Sequence, residues 1–302
     1  MRPAISPSRH GAALAAAALL ALALAACAPQ DDDNSSASAA PSASTSGAAA
    51  CRPASLATHT GGKFTVGTDN PAYAPWFVDD KPSNGKGYES AVAYAVAKQL
   101  GYGADQVVWQ KVPFNSAFSP GAKSFDVDIN QVSITDERRK TVDFSPGYYD
   151  VRQAVVAPKG SKIAGAHSLA DLKNAKLGAQ VGTTSLDVID DVVKPTKQPA
   201  VFQRNDLAVA ALKNGQVDGI VVDLPTAFYI TGSEIPTATV VGQFATTGTK
   251  GAAAEQFGLV LDKGSKLTSC VSQAVTTLRS NGTLAALEKK WLSDAVDAPV
   301  LK

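Results

Sequence analysis

Four places in this 302-residue chain set polar or charged side chains at the carboxyl ends of predicted strands, where open α/β sheets bind their ligands. They are Asp69, the stretch 130–133 with Arg138 after it, the turn Gly182-Thr183-Thr184-Ser185, and Asp223. A guanidinium can grip a carboxylate through two parallel hydrogen bonds. A helix starting just after Gly182-Thr183-Thr184 would offer the same anion free backbone N–H groups and the positive end of its dipole. The chemistry on offer is the capture of a small charged molecule. Arg138 falls in the first turn of a predicted helix, where a cation opposes the macrodipole, so helix stability does not account for it. On pattern alone, Arg138-Arg139-Lys140 is equally a solvated basic run.

Other chemistries lack their residues. The three histidines, His10, His59 and His167, stand apart from one another and from any cysteine spacing suited to zinc, so no metal or cofactor is expected. There is no glycine-serine nucleophile elbow, and the 182–185 turn lacks the lysine of a phosphate-binding loop. Nor does any residue stand out as a positioned acid or base. Hydrolase, NTPase and metal-binding functions are disfavoured.

The elements that must position these residues alternate between strand and helix from Lys63 onward, which predicts an α/β body with largely parallel sheets. Strands are expected at 63–67, 107–112, 126–132, from Leu177, and at 217–222. Between them, Val92, Val96 and Leu100 mark one face of a helix over 88–100, and Gly101 stops it. Thr135 can cap a helix holding Asp136 and Glu137 in its first turn. Further helices are expected through Val188 and Val192, over 207–213, and along the apolar spacings Leu267-Val271-Ala274-Leu278 and Leu284-Leu287-Trp291. An Asp-bearing strand with polar residues at its end occurs once near Ser133 and again near Asp223, so two similar lobes follow.

The N-terminus has a different character. Arg2 and Arg9 precede an uncharged, small-apolar run over 11–26 that ends at Cys27, the pattern of a signal peptide and too short for a membrane span. The tetrapeptide Leu24-Ala25-Ala26-Cys27 resembles the bacterial lipobox, which implies cleavage before Cys27 and a lipid on its thiol. Cleavage would remove two of 28 basic residues and none of 27 acidic ones, leaving a formal charge of −1. That balance does not suit a nucleic-acid partner. Residues 28–50 contain no aromatic or large aliphatic side chain, cannot build a core, and read as a flexible tether. Two cysteines remain, Cys51 and Cys270; in an exported protein they are expected to pair, with two buried thiols as the alternative.

From Gly62 to Leu292 the chain resembles the polar-amino-acid family of periplasmic-type solute-binding proteins. The matching pieces are Phe64-Thr65-Val66-Gly67-Thr68-Asp69 with its aromatic loop, Gly87-Tyr88-Glu89, Ser133-Ile134-Thr135-Asp136-Glu137-Arg138, and Val142-Asp143-Phe144-Ser145. They continue through Ser168-Leu169-Ala170-Asp171-Leu172, Val181-Gly182-Thr183-Thr184, Asn214-Gly215-Gln216-Val217-Asp218 and Gly282-Thr283-Leu284.

The resemblance implies a type 2 fold: two α/β lobes joined by two crossover strands, one near 151–157 and the other near 252–261. The expected division is signal peptide 1–26, lipidated cysteine and linker 27–50, lobe one 51–155, lobe two 156–252, and a return crossover with C-terminal helices of lobe one over 253–302. It further implies an exported lipoprotein that closes on a polar amino acid and delivers it, as a monomer, to the permease of an ABC importer. A sensor domain, or a dehydratase or lyase on the same scaffold, is the alternative. In relatives, residues matching Arg138, the backbone of Thr184 and the hydroxyl of Ser133 hold the ligand α-carboxylate. The acid matching Asp223 holds the ammonium, and aromatics matching Tyr73 and Phe114 sandwich the side chain. Asp69 sits where some relatives meet a polar or cationic end. Asn130 and Gln131 depart from the family, which commonly has small residues there, so these amides either narrow the pocket or read the side chain. Trp76 is a weaker candidate, equally suited to covering the edge of the core.

Overall fold

The computed structural model describes residues 51–245, 255–292 and 297–302; the expected signal peptide, Cys27 and the tether lie outside them. All the described residues belong to one unit, Ser44–Lys302. In chain order the strands are β1 (Phe64–Thr68), β2 (Val107–Lys111), β3 (Val127–Asp128), β4 (Val142–Phe144), β5 (Tyr149–Asp150), β6 (Gln153–Pro158) and β7 (Leu177–Gln180). They continue with β8 (Ala200–Phe202), β9 (Gly219–Asp223), β10 (Ala238–Phe244), β11 (Gln256–Phe257), β12 (Val260–Asp262) and β13 (Val300–Leu301).

Two sheets divide the molecule. The first runs β2-β1-β3-β12-β4 and the second β13-β10-β6-β9-β7-β8. In lobe one, β1 pairs in parallel with β2 and β3, while β12 enters antiparallel between β3 and β4. Phe64, Val66, Val127 and Ile129 point from this sheet onto the Tyr88–Gln99, Thr268–Ser280 and Thr283–Leu292 helices, where Val92, Val96, Val271 and Leu284 receive them. The alternation of apolar side chains along each strand leaves Thr65, Gly67 and Asp69 on the opposite face. Cys51 and Cys270 form a disulfide, with Cα atoms 5.4 Å apart, that ties the start of the lobe to its C-terminal helix pair.

The second sheet is covered on both faces. Ala154 and Val156 of β6 pack with Leu212 and Ile220, whereas Val155 and Ala157 pack with Leu177 and Ile189. A strand apolar on both faces over four consecutive residues, Ala154 to Ala157, therefore suits this central place. Between the sheets, β5 and β11 form a short antiparallel ribbon that pairs Tyr149 with Phe257 and Asp150 with Gln256, so the outgoing and returning chains run side by side.

Several elements differ from the sequence expectation. The strand expected over 126–132 is regular only at Val127–Asp128, because the chain turns away at Gln131, whose φ of 48° no strand accommodates. The strand expected from Val217 begins at Gly219, after Asp218 has turned aside to accept the Lys176 N–H. The helix that starts at Thr184 widens into a π-helix over Val188–Val193 and ends at left-handed Lys194. β6 already pairs with β9 at Gln153, ahead of the expected boundary at 156. The largest correction is at the C-terminus, which was expected to lie wholly in lobe one. Instead β13 adds to the open edge of β10 in lobe two, Gln243 N–H donates to the Pro299 carbonyl, and Leu301 is buried in that lobe's core. Satisfying an edge strand while burying Leu301 favours this placement.

Candidate functional site

One cleft between the two sheets is lined by nine of the residues singled out from the sequence: Asp69, Tyr73, Phe114, Gln131, Ser133, Arg138, Thr183, Thr184 and Asp223. Lobe one supplies the first six, lobe two the last three.

Asp69 stands just past the carboxyl end of β1. Its carboxylate accepts the N–H of Asn70 at 2.7 Å and that of Phe114 at 3.3 Å, and partial burial pushes its pKa up despite these bonds. Tyr73 reaches across the cleft. Its hydroxyl donates to Asp206 Oδ1 at 3.1 Å, and Asp206 is itself held by a two-pronged contact from Arg204. Arg138 is buried although its neighbours Arg139 and Lys140 are exposed, which separates it from the solvated run the sequence also allowed. Thr135 caps its short helix by accepting the Arg138 N–H at 3.2 Å. The guanidinium donates from Nη1 to the Ser133 carbonyl at 2.7 Å and from Nη2 to the Gly182 carbonyl of lobe two at 2.9 Å. Its carbon lies 4.3 Å from the centre of the Phe118 ring and 5.6 Å from that of Phe114. Burial lowers its pKa to about 10, opposed by the carboxylates of Asp187, Glu255 and Asp223, and the side chain remains a cation at neutral pH.

Gln131 lines the cleft with its side chain turned back. Its N–H donates to Glu89 Oε1 at 2.7 Å and its amide nitrogen donates to Glu89 Oε2, while the Tyr148 hydroxyl donates to the same carboxylate. Burial raises the Glu89 pKa to about 7, held there by these three donors. A wholly buried acid thus fixes the left-handed turn that delivers Ser133.

In lobe two, Thr183 caps the Thr184–Asp187 helix: its oxygen accepts the Leu186 N–H at 3.2 Å and its hydroxyl donates to the Gln180 carbonyl at 2.7 Å. Thr184 meets Ser133 across the cleft, hydroxyl to hydroxyl, at 3.3 Å. Asp223 ends β9 and accepts from Gln153 Nε2 at 2.7 Å. Burial, with the nearby Glu255 carboxylate, pushes its pKa up to about 8.

Sequence reasoning missed several residues. Gln180 and Asn205 line the cleft, and Gln180 could have been found because it stands at the carboxyl end of β7, as Asp69 stands just past that of β1. Glu255 carries no local signal, yet its Oε1 accepts from the Ser133 hydroxyl at 2.5 Å and from the Thr184 hydroxyl at 2.6 Å. Trp76 does not line the cleft. It is wholly buried among Tyr88, Tyr149 and Phe257, and its indole N–H donates to Thr226 Oγ1 of lobe two at 2.9 Å. Among the described residues no group of three or more His, Cys, Asp or Glu is placed to hold a metal ion.

The family model for bacterial extracellular solute-binding proteins, family 3, matches residues 64–294. The arginine-binding extracellular protein ArtP of Bacillus subtilis (strain 168) is 27% identical over 250 residues, covering 81% of this chain and 92% of its own length. The L-cystine-binding protein TcyJ of Escherichia coli (strain K12) is 29% identical over 234 residues, or 76% of this chain and 82% of its own. A solved structure of an ancestral arginine-binding protein bound to arginine superposes with a TM-score of 0.63 at 30% identity, covering 76% of this chain and 98% of that one.

Proposed function

Because the chain belongs to family 3 of the bacterial extracellular solute-binding proteins, we propose that it captures a polar amino acid by closing its two lobes and delivers it to the permease of an ABC importer. The observation that carries this is the opposition of Arg138 on lobe one and Asp223 on lobe two in a single cleft. One is a buried cation and the other an acid that can ionise, and they stand on opposite lobes of the kind a hinge brings together. A zwitterion satisfies both at once. Its carboxylate takes the N–H groups of Arg138 not used by carbonyls, the backbone N–H at Thr184 and the Ser133 hydroxyl. Its ammonium takes Asp223. Contacts to both lobes give the ligand a differential affinity for the closed state, and that difference does the closing.

Tyr73 and Phe114 flank the ligand side chain, and Asp69 meets its end. Two acids against one base at the cleft wall favour a side chain that is polar or cationic, which agrees with the names of the arginine- and cystine-binding relatives. Lipid on Cys27 holds the protein at the outer face of the cell membrane, and the linker over 28–50 gives the body reach toward the permease. It works as a monomer and carries out no chemical step.

Thermal shift of the purified domain against arginine, lysine, histidine, glutamine and cystine tests the proposal. A ligand at 100 times its Kd stabilises by about 2.7 kcal/mol, which for a body of this size raises the melting temperature by about 5–10 °C. If no amino acid moves the transition, capture of a zwitterion is the wrong function.

A further inference from the structure

Glu255 lies on the returning chain, immediately before β11, with its backbone carbonyl accepting the Val151 N–H of the outgoing chain at 2.8 Å. From this hinge position its side chain enters the seam between the lobes. A single oxygen, Oε1, takes the Ser133 hydroxyl of lobe one at 2.5 Å and the Thr184 hydroxyl of lobe two at 2.6 Å, and these two hydroxyls are themselves 3.3 Å apart. The other oxygen, Oε2, is buried with no hydrogen-bond partner among the described residues. Arg138 and Asp223 are both close enough to feel the charge.

Each hydroxyl owns one proton and can donate once. With both protons directed at Oε1, Ser133 and Thr184 turn lone pairs toward the cleft. A ligand carboxylate arriving beside Arg138 would meet those lone pairs instead of donors. We infer that Glu255 is an internal stand-in for the ligand carboxylate: it bridges the two lobes through the hydroxyls of Ser133 and Thr184, and ligand binding must displace it. This rests on the placement of the ligand carboxylate proposed above. The half-satisfied carboxylate is suited to leaving, since a buried oxygen without a partner carries a desolvation cost that release to water removes. As a positioning residue, Glu255 therefore sets how firmly the lobes close when no ligand is present and how strongly a carboxylate must compete.

Isothermal titration with L-arginine and L-glutamine, each beside its C-terminal amide, separates the possibilities. Because Glu255 and the ligand carboxylate exclude one another, Glu255→Ala destabilises only the ligand-free state and should tighten the better-binding amino acid at least fivefold. Glu255→Gln keeps the shape and one acceptor without the charge, and should tighten it by a smaller factor. Both variants should tighten the amide by a smaller factor than the acid, because its single neutral carbonyl competes for the two hydroxyls more weakly than a carboxylate does, and a purely structural role could not distinguish acid from amide. Small-angle scattering should also show the ligand-free Glu255→Ala protein more open than wild type. Equal or weaker binding of the amino acid by both variants overturns the inference, because Glu255 would then belong to the liganded bridge or to neither state. If wild type binds neither amino acid, or Arg138→Ala leaves binding unchanged, the proposed function fails and takes this inference with it.

Discussion

Ligand capture should expel a proton from Asp223. Burial and the Glu255 carboxylate push the pKa of this acid up to about 8, and the 2.7 Å bond from Gln153 is not enough to restore the usual carboxylate range. At neutral pH the closed cleft therefore holds mostly the neutral acid, whereas an ammonium needs the carboxylate. Between pH 6 and pH 8 the ionised fraction climbs from about one in a hundred to about one half. Affinity should rise about 50-fold over that range, or about 2.3 kcal/mol, and level off above it. Titration calorimetry at pH 6, 7 and 8, repeated in phosphate and Tris, measures both the affinity and the protons released, about 0.9 per ligand at pH 7. Asp223→Asn should bind weakly at every pH and lose the slope. A dissociation constant that varies less than threefold across the range, or a slope that survives in the variant, would refute the assignment. For the ligand-free protein the sign reverses. Asp223 holds its proton more tightly folded than unfolded, so its contribution to stability is full below about pH 4 and is lost as pH rises through 8.

Arg138→Ala should weaken amino-acid binding by 30-fold or more, since truncating one member of a buried charged contact costs about 2–5 kcal/mol, and binding within threefold of wild type would rule out Arg138 as the carboxylate partner. Arg138→Lys should recover little, because one ammonium cannot span the Ser133 and Gly182 carbonyls while stacking on Phe118. Reduction of the Cys51–Cys270 bridge, which spans 219 residues, should lower the melting temperature, with an upper limit of about 5 kcal/mol, and leave affinity intact because both cysteines lie in lobe one. Cys27→Ser should move the protein from the membrane fraction to the medium; retention at the membrane would remove the lipid anchor from the account.

The two-lobe α/β arrangement was legible because its local signals agree. Val92 and Val96 face the core as their spacing requires, Thr135 caps the helix it precedes, a helix starts at the Gly182-Thr183-Thr184 turn, and Asp69 and Asp223 fall at strand ends. What the sequence hides is contact between distant segments. Gln131 looked like a reader of ligand, and only the wholly buried Glu89, 42 residues away, explains why its amide turns inward. Trp76 could not be assigned from its loop, because its burial depends on Phe257 and its indole partner on Thr226, both far along the chain. Glu255 sits in a segment with no periodicity, and nothing short of the hinge ribbon brings it to Ser133 and Thr184. Long-range polar pairing follows topology, and topology is not periodic.

The addition of β13 to the second sheet means that the two ends of the described chain ride on different lobes. Cys51 is fastened to lobe one by its disulfide, while Leu301 is buried in lobe two and the Lys302 carbonyl accepts the Leu169 N–H of that lobe at 3.0 Å. A fluorescent reporter fused just before Cys51 and a second fused after Lys302 would therefore change separation as the hinge shuts, with neither label entering the cleft. The fold comes wired as an optical gauge for its own ligand, and a fluorescence-transfer readout from such a fusion would follow capture in real time without any engineered insertion point.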